Sequence, residues 1–354
     1  MANKITGSTD TSGALTTTPT ISKSVLVVSK VSGTQTNQVD ANKIFQIVGT
    51  ADAVAAFGAD NKLASQITKI LIANGVDNIK GIIVASGEVG TELADALEVS
   101  LQDKSIKCII TDKNDESTIT AVKDHLTVAE SNDLFRYSSF APDNTVTTQS
   151  DLIAFAKKID SDRIFVPGQA FMSGEDKVDP QLTATGLIAT IMTETSDPAL
   201  PMNGVQIAGF SGLSKVMLDA EMKALVNGGV TPFYEESGST NPTIYRLVTS
   251  NTTDKVWQEG STRFIADHVL ESVETMLRAN YKRTKNVDRI LKAIRGDVKI
   301  VLENLESLEI IENFDESTLT VTKDPDDMYG ALVDYEFDVV TPLYTITINQ
   351  HLKI

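Results

Sequence analysis

Leu200-Pro201-Met202-Asn203-Gly204-Val205 opens a stretch that continues through Gly209-Phe210-Ser211-Gly212-Leu213 and an amphipathic helical pattern over residues 217–226. It ends with Asn227-Gly228-Gly229-Val230-Thr231-Pro232-Phe233 and Ile244-Tyr245-Arg246-Leu247-Val248-Thr249. No single piece is diagnostic, and the information lies in their order and spacing. Asn227-Gly228-Gly229 closes the helix where glycine takes a left-handed backbone cheaply. Downstream come the two longest helical patterns of the chain, residues 262–281 and 287–305, and then a tail of strands.

Upstream, strands and helices alternate. Val25-Leu26-Val27-Val28, Phe45-Gln46-Ile47-Val48, Ile79 with Ile82-Ile83-Val84, and residues 106–110, 134–140 and 163–166 read as strands. Between them, helical spacing is predicted over residues 61–73, 91–101, 116–130, 149–158 and, after the last strand, 181–193; Leu63, Ile67, Ile70 and Leu71 carry the first of these up to Asn74-Gly75. Such alternation predicts an α/β fold, with a mostly parallel sheet as its core and helices on both faces. The tail differs. Leu319 and Val321 alternate with threonines, Val333, Tyr335, Phe337 and Val339 with Asp334, Glu336 and Asp338, and Tyr344, Ile346 and Ile348 with Thr345, Thr347 and Asn349. Period-two patterning with one wet face predicts a small antiparallel or mixed sheet in an α+β C-terminal region.

The 354 residues are 41% hydrophobic and 22% charged, which is the balance of a soluble globular chain long enough for two domains. No apolar run approaches membrane-spanning length and no signal peptide opens the chain, so it is expected to be made and kept in the cytoplasm, without membrane insertion. A net charge of −17 disfavours direct nucleic-acid binding through phosphate neutralisation. Against that background Arg278, Lys282, Arg283, Lys285, Arg289, Lys292, Arg295 and Lys299 form a basic band interrupted only by Asp288 and Asp297. Such a band predicts either an acidic partner or two solvated helix faces balancing Glu271, Glu274, Glu303 and Glu306.

Catalytic and metal constellations are poor. Gly209-Phe210-Ser211-Gly212-Leu213 departs from the G-x-S-x-G elbow because Leu213 stands where the second glycine is needed. His125, His268 and His351 are scattered, there is no phosphate loop, and the three glycines of residues 81–90 lack dinucleotide spacing. Asp324-Pro325-Asp326-Asp327-Met328-Tyr329-Gly330 lacks the alternating ligands of a calcium loop and reads as a solvated turn. The one cysteine, Cys108, reads as buried strand. No cofactor, metal or catalytic residue is predicted; the expectation is a protein that is not an enzyme.

In order and spacing, residues 200 to 354, and more loosely the α/β region before them, resemble the sheath proteins of contractile phage tails and related injection particles. The resemblance implies a subtilisin-like outer α/β domain over residues 23–195, an inner sheath domain over 196–341, and arms at 1–22 and 342–354. It implies a helical homo-polymer around a rigid inner tube, joined to baseplate and terminator or collar proteins, assembled in the bacterial cytoplasm and released as part of a particle. On this reading contraction drives the tube through a target envelope. Two departures are visible: the chain is short for the family, and Val248-Thr249-Ser250 replaces a more usual threonine-threonine-arginine-like ending. The small size fits a phage-tail-like bacteriocin or a simple phage of a Gram-positive host.

Two candidate surfaces follow. The basic residues Arg278, Lys282, Arg283, Lys285, Arg289, Lys292 and Arg295 are candidates for tube contact. The ends of the chain are candidates for pairing with strands of other copies: Thr16, Thr17 and Thr18 in a segment with almost no large apolar side chain, and Leu343, Tyr344, Ile346, Ile348, His351 and Leu352 after the stiff Pro342. The competing readings are a cytoplasmic α/β hydrolase with an unrecognised site and another self-assembling structural protein.

Overall fold

The computed structural model describes residues 23–85 and 91–344. The chain divides into two compact units between Asp267 and His268; residues 340–344 belong with the first unit.

The first unit alternates strand and helix from β1 (Ser24–Lys30) through β2 (Ile44–Ile47), α1 (Thr50–Phe57), α2 (Lys62–Ala73), β3 (Ile79–Val84), α3 (Thr91–Ser100), β4 (Ile106–Thr111) and α4 (Glu116–Glu130). It continues with β5 (Tyr137–Ser139), α5 (Gln149–Ile159), β6 (Ile164–Phe165), the hairpin β7 (Phe171–Ser173) and β8 (Asp176–Lys177), and α6 (Pro180–Glu194). The sheet order is β2-β3-β1-β4-β5-β6, with β2 antiparallel to β3 and the other neighbours parallel. Successive residues of β1 face opposite sides: Val25 and Val27 enter one apolar cluster with α2 and α6, Leu26 and Val28 another with α3, α4 and α5. All four are at most 1% exposed, which is why that strand is apolar without alternation. The α/β expectation thus holds as a mixed, largely parallel sheet between helices. The short α1, absent from the sequence reading, starts behind Gly49 with no side-chain cap. The strand expected over residues 134–140 shrinks to β5, flanked by the buried Arg136.

Residues 196–267 share this core. β9 (Gly212–Leu213) adds to β7, and α7 (Asp219–Asn227) is followed by the hairpin β10 (Phe233–Glu235) and β11 (Pro242–Ile244) and by α8 (Lys255–Gln258). Gly229 takes φ +76 behind α7, the left-handed position read from the sequence. Phe210 explains the glycine beneath it: a Cβ on Gly186, in the middle of α6, would lie 2.8 Å from the Phe210 ring and 2.9 Å from Ile207. Phe171 stacks edge-on against Phe210 at 4.7 Å and against Phe233 at 4.9 Å, so the opening stretch is largely core.

α9 (Gly260–Asn280) begins in the first unit and ends in the second, which continues with α10 (Asp288–Ser307), β12 (Ile311–Glu312), β13 (Thr320–Lys323), β14 (Ala331–Asp334) and β15 (Asp338–Val339). α10 buries Leu291, Ile294, Val298, Leu302 and Leu305 at helical spacing. β12 pairs with β15 and β13 with β14, both antiparallel. The continuous strand implied by Val333, Tyr335, Phe337 and Val339 is interrupted. The four side chains are still half-buried while their polar neighbours are exposed, but Glu336 N–H donates to Thr318 Oγ1 at 3.1 Å instead of to a strand.

Candidate assembly surfaces

In a parallel sheet the usual ligand crevice lies where the strand order reverses, here at the carboxyl ends of β1 and β4. Side chains fill it. Gln181, from the first turn of α6, donates through Nε2 to Thr111 O at 2.7 Å and Lys113 O at 3.0 Å. Asn61, capping α2, donates to Ser29 Oγ at 2.7 Å, and Ser29 Oγ donates to Asp112 at 2.6 Å. Burial raises the Asp112 carboxyl above its ordinary range despite these bonds. A cavity of about 240 Å³ lies further along, beside β5 and β6; its titratable lining is Asp143, Lys177 and Lys215. Ser211 Oγ donates to the Gly174 carbonyl at 3.2 Å, and His125 Nε2 faces Arg136 Nη1 at 2.9 Å. These two side chains therefore serve separate local contacts.

A charged network fixes the start of α9 to the sheet. Arg163 Nη1 and Nη2 donate to the two carboxylate oxygens of Asp267, and its Nε donates to Glu130 at 3.1 Å. Arg263 donates to the same Glu130, and Tyr137 OH donates to Asp267. Burial, then the adjacent Asp267 carboxylate, pushes the Tyr137 phenol far above its ordinary range, so it remains a donor. The one local signal for this network is an arginine at the head of an apolar strand, Arg163 before Ile164-Phe165-Val166; its partners Glu130 and Asp267 lie 33 and 104 residues away.

The basic band separates into two groups. Arg295 donates to Leu319 O at 2.9 Å and Glu316 at 3.1 Å, Lys299 binds Glu316 at 2.5 Å, and Arg278 binds Glu274 at 3.1 Å. Lys282, Arg283, Lys285, Arg289 and Lys292 are all exposed and have no ion-pair partner among the described residues. Five exposed cations thus lie within eleven residues, on and just before α10.

At the other candidate surface, Leu343 is 71% exposed while Tyr344 is half-buried against Arg246 and Glu259. Thr16, Thr17, Thr18, Ile346, Ile348, His351 and Leu352 lie outside the described residues. Val248, Thr249 and Ser250, where the sequence departs from the resemblance, are at most 1% exposed. Thr249 bridges Phe165, and Ser250 Oγ donates to Ser161 O at 3.0 Å; the departure is a packed edge of the core.

Residues 252–353 match the family described as the phage tail sheath C-terminal domain. No curated protein matches the chain. Among solved structures, the contracted helical sheath of the anti-feeding prophage is similar with a TM-score of 0.70 at 14% identity, covering 94% of this chain and 93% of that one. The sheath tail protein of Listeria innocua gives 0.69 at 9% identity, with 90% and 92% covered. That of Desulfitobacterium hafniense gives 0.65 at 8%, with 96% and 100% covered. The resemblance read from the sequence is thereby borne out: the chain has the fold of contractile sheath proteins over nearly its whole length, and its C-terminal part matches their C-terminal domain.

Proposed function

We propose that this chain is the structural subunit of a contractile sheath, which polymerises helically around a rigid tube and shortens to drive that tube through a target envelope. The observation that carries the proposal is the full-length similarity to sheath proteins, together with the sheath C-terminal-domain match over residues 252–353. The filled crevice at the ends of β1 and β4 supports a core kept for packing over the hydrolase alternative. Among the described residues no helix is long and apolar enough to cross a membrane.

In this reading the α/β unit that runs to Asp267 forms an outer, subtilisin-like domain and residues 268–339 the inner one. The free cations Lys282, Arg283, Lys285, Arg289 and Lys292 face an acidic tube, while Arg278 pairs along α9 with Glu274 and Arg295 ties α10 to Glu316 and Leu319. Residues 1–22 and 342–354 add strands to neighbouring copies. About ten added strand hydrogen bonds at about 1 kcal/mol net each give a tether of order 10 kcal/mol, before the entropy of ordering the arms. A tether of that size survives while softer contacts change. Assembly occurs in the bacterial cytoplasm, baseplate and terminator or collar proteins end the polymer, and the small subunit fits a phage-tail-like bacteriocin or simple phage. Deletion of residues 1–20, or of 343–354, tests the arms. Each protein should remain soluble and melt cooperatively yet form no long sheaths; full-length sheaths from either would overturn the mesh.

A further inference from the structure

In Ile244-Tyr245-Arg246-Leu247-Val248-Thr249, the residues Ile244, Leu247, Val248 and Thr249 are at most 3% exposed and belong to the core. Arg246 interrupts them, and packing alone gives no reason for a cation there. Its Nε and Nη2 both donate to Glu259 Oε2, at 3.0 and 2.7 Å. Its guanidinium carbon also stands 4.3 Å from the centre of the Tyr344 ring. Tyr344 OH closes the triangle by donating to Glu259 Oε1 at 2.5 Å. Arginine suits this place because its planar group stacks on an aromatic face while its edge meets a carboxylate; lysine cannot do both.

Glu259 is a firm attachment. Its side chain is 12% exposed and its backbone bridges Val248 in a short antiparallel contact. It immediately precedes Gly260, the first residue of α9, whose N–H is bonded to Leu247 O at 3.3 Å. Four and eight residues further on, Arg263 and Asp267 lock that helix to Glu130 and Arg163. Tyr344 is therefore joined to the same helix start that the sheet holds. Burial and then the Glu259 carboxylate keep its phenol protonated well above the ordinary range, so the donor persists at any working pH. Pro342, with its fixed φ, stands two residues before it.

We propose that Arg246, Glu259 and Tyr344 form a clamp that fixes where the C-terminal segment leaves the α/β unit and passes tension from that segment through the start of α9 into the sheet. The inference rests on the sheath reading, in which a neighbouring copy holds the residues beyond Tyr344 and pulls on them as the lattice shortens. Without the clamp the pull would peel the chain from Leu343 backwards. With it, load is shared by three mutually bonded side chains and a helix tied to β5 and β6.

The test compares full-length wild type with Tyr344→Ala, Tyr344→Phe and Arg246→Lys, measuring the thermal melt of the subunit and the number, length and urea resistance of polymers by electron microscopy. The clamp lies at the edge of the unit, so the melts should move by no more than about 4 °C. Tyr344→Ala should give about tenfold fewer long polymers, the effect of about 1.4 kcal/mol per contact. Tyr344→Phe, which keeps the ring under Arg246, and Arg246→Lys, which keeps only charge, should fall between. Tyr344→Ala polymers as long and as urea-resistant as wild type would overturn the clamp. If Tyr344→Ala lowers the melt further, Arg246→Lys decides: wild-type polymers from that variant overturn the clamp, and short or urea-sensitive ones support it. A wild-type chain that forms no polymer would overturn the sheath reading itself, and the clamp with it.

Discussion

Arg163 and Asp267, 104 residues apart, meet in a two-pronged ion pair with Nη1 to Oδ2 at 2.7 Å and Nη2 to Oδ1 at 3.0 Å. Their side chains are 2% and 9% exposed, so neither charge has a ready alternative in water. The pair ties the end of the α/β alternation to the helix that leads out of the unit. Removing Arg163 leaves the buried Asp267 with only the Tyr137 hydroxyl and Arg263 Nε, 3.5 Å away, so Arg163→Ala should destabilise the unit by about 3 kcal/mol, the low end for a broken buried pair. A denaturant titration checks this. Arg163→Met with Asp267→Leu should cost less than the sum of the single changes, because the stranded charge is gone.

His125 supplies the pH dependence. Its Nε2 accepts from Arg136, which can only donate, so the ring proton sits on Nδ1. Burial and then the Arg136 charge hold its pKa down to about 3, against an ordinary 6.5. Between those values the unfolded chain binds a proton that the folded chain refuses. Stability conferred by the neutral ring is therefore complete above pH 6.5 and is lost on acidification at up to about 1.4 kcal/mol per pH unit. His125→Gln, which retains an acceptor for Arg136, should flatten a plot of stability against pH across that window. An unchanged slope would mean the ring is protonated in the fold.

The divided basic band predicts two kinds of mutant. Arg289→Glu with Lys292→Glu alters exposed cations that have no ion-pair partner among the described residues, so subunit stability should change by less than about 0.5 kcal/mol while tube co-purification is lost. Binding by the wild type should weaken with salt. Arg295→Ala instead removes bonds to Leu319 and Glu316 and should lower the melt of the subunit. Normal tube recovery with the double reversal would remove the band from the tube interface.

The long regular elements were legible in the sequence because their signals are local. α2, α6, α9 and α10 fall within a few residues of their predicted bounds, and the apolar β1, β3 and β4 stand where expected. What escaped is non-local. Arg295 and Lys299 read as band residues until Glu316, well beyond α10, is seen to occupy them. Tyr344 reads as the first residue of a free strand, but Glu259, 85 residues earlier, fixes it. Gly186 carries no signal of its own inside the helical pattern of residues 181–193, yet Phe210 packs directly on it. In each case the partner is chosen by the tertiary fold, to which helical or strand periodicity carries no pointer.

Electron microscopy of the purified full-length chain tests the central claim most directly. The sheath account predicts rings and hollow helical tubes of uniform width, built from one repeating subunit whose neighbours are linked by added β-strands. A chain that stays monomeric at every concentration, with no tubes or rings under any assembly condition, would contradict it.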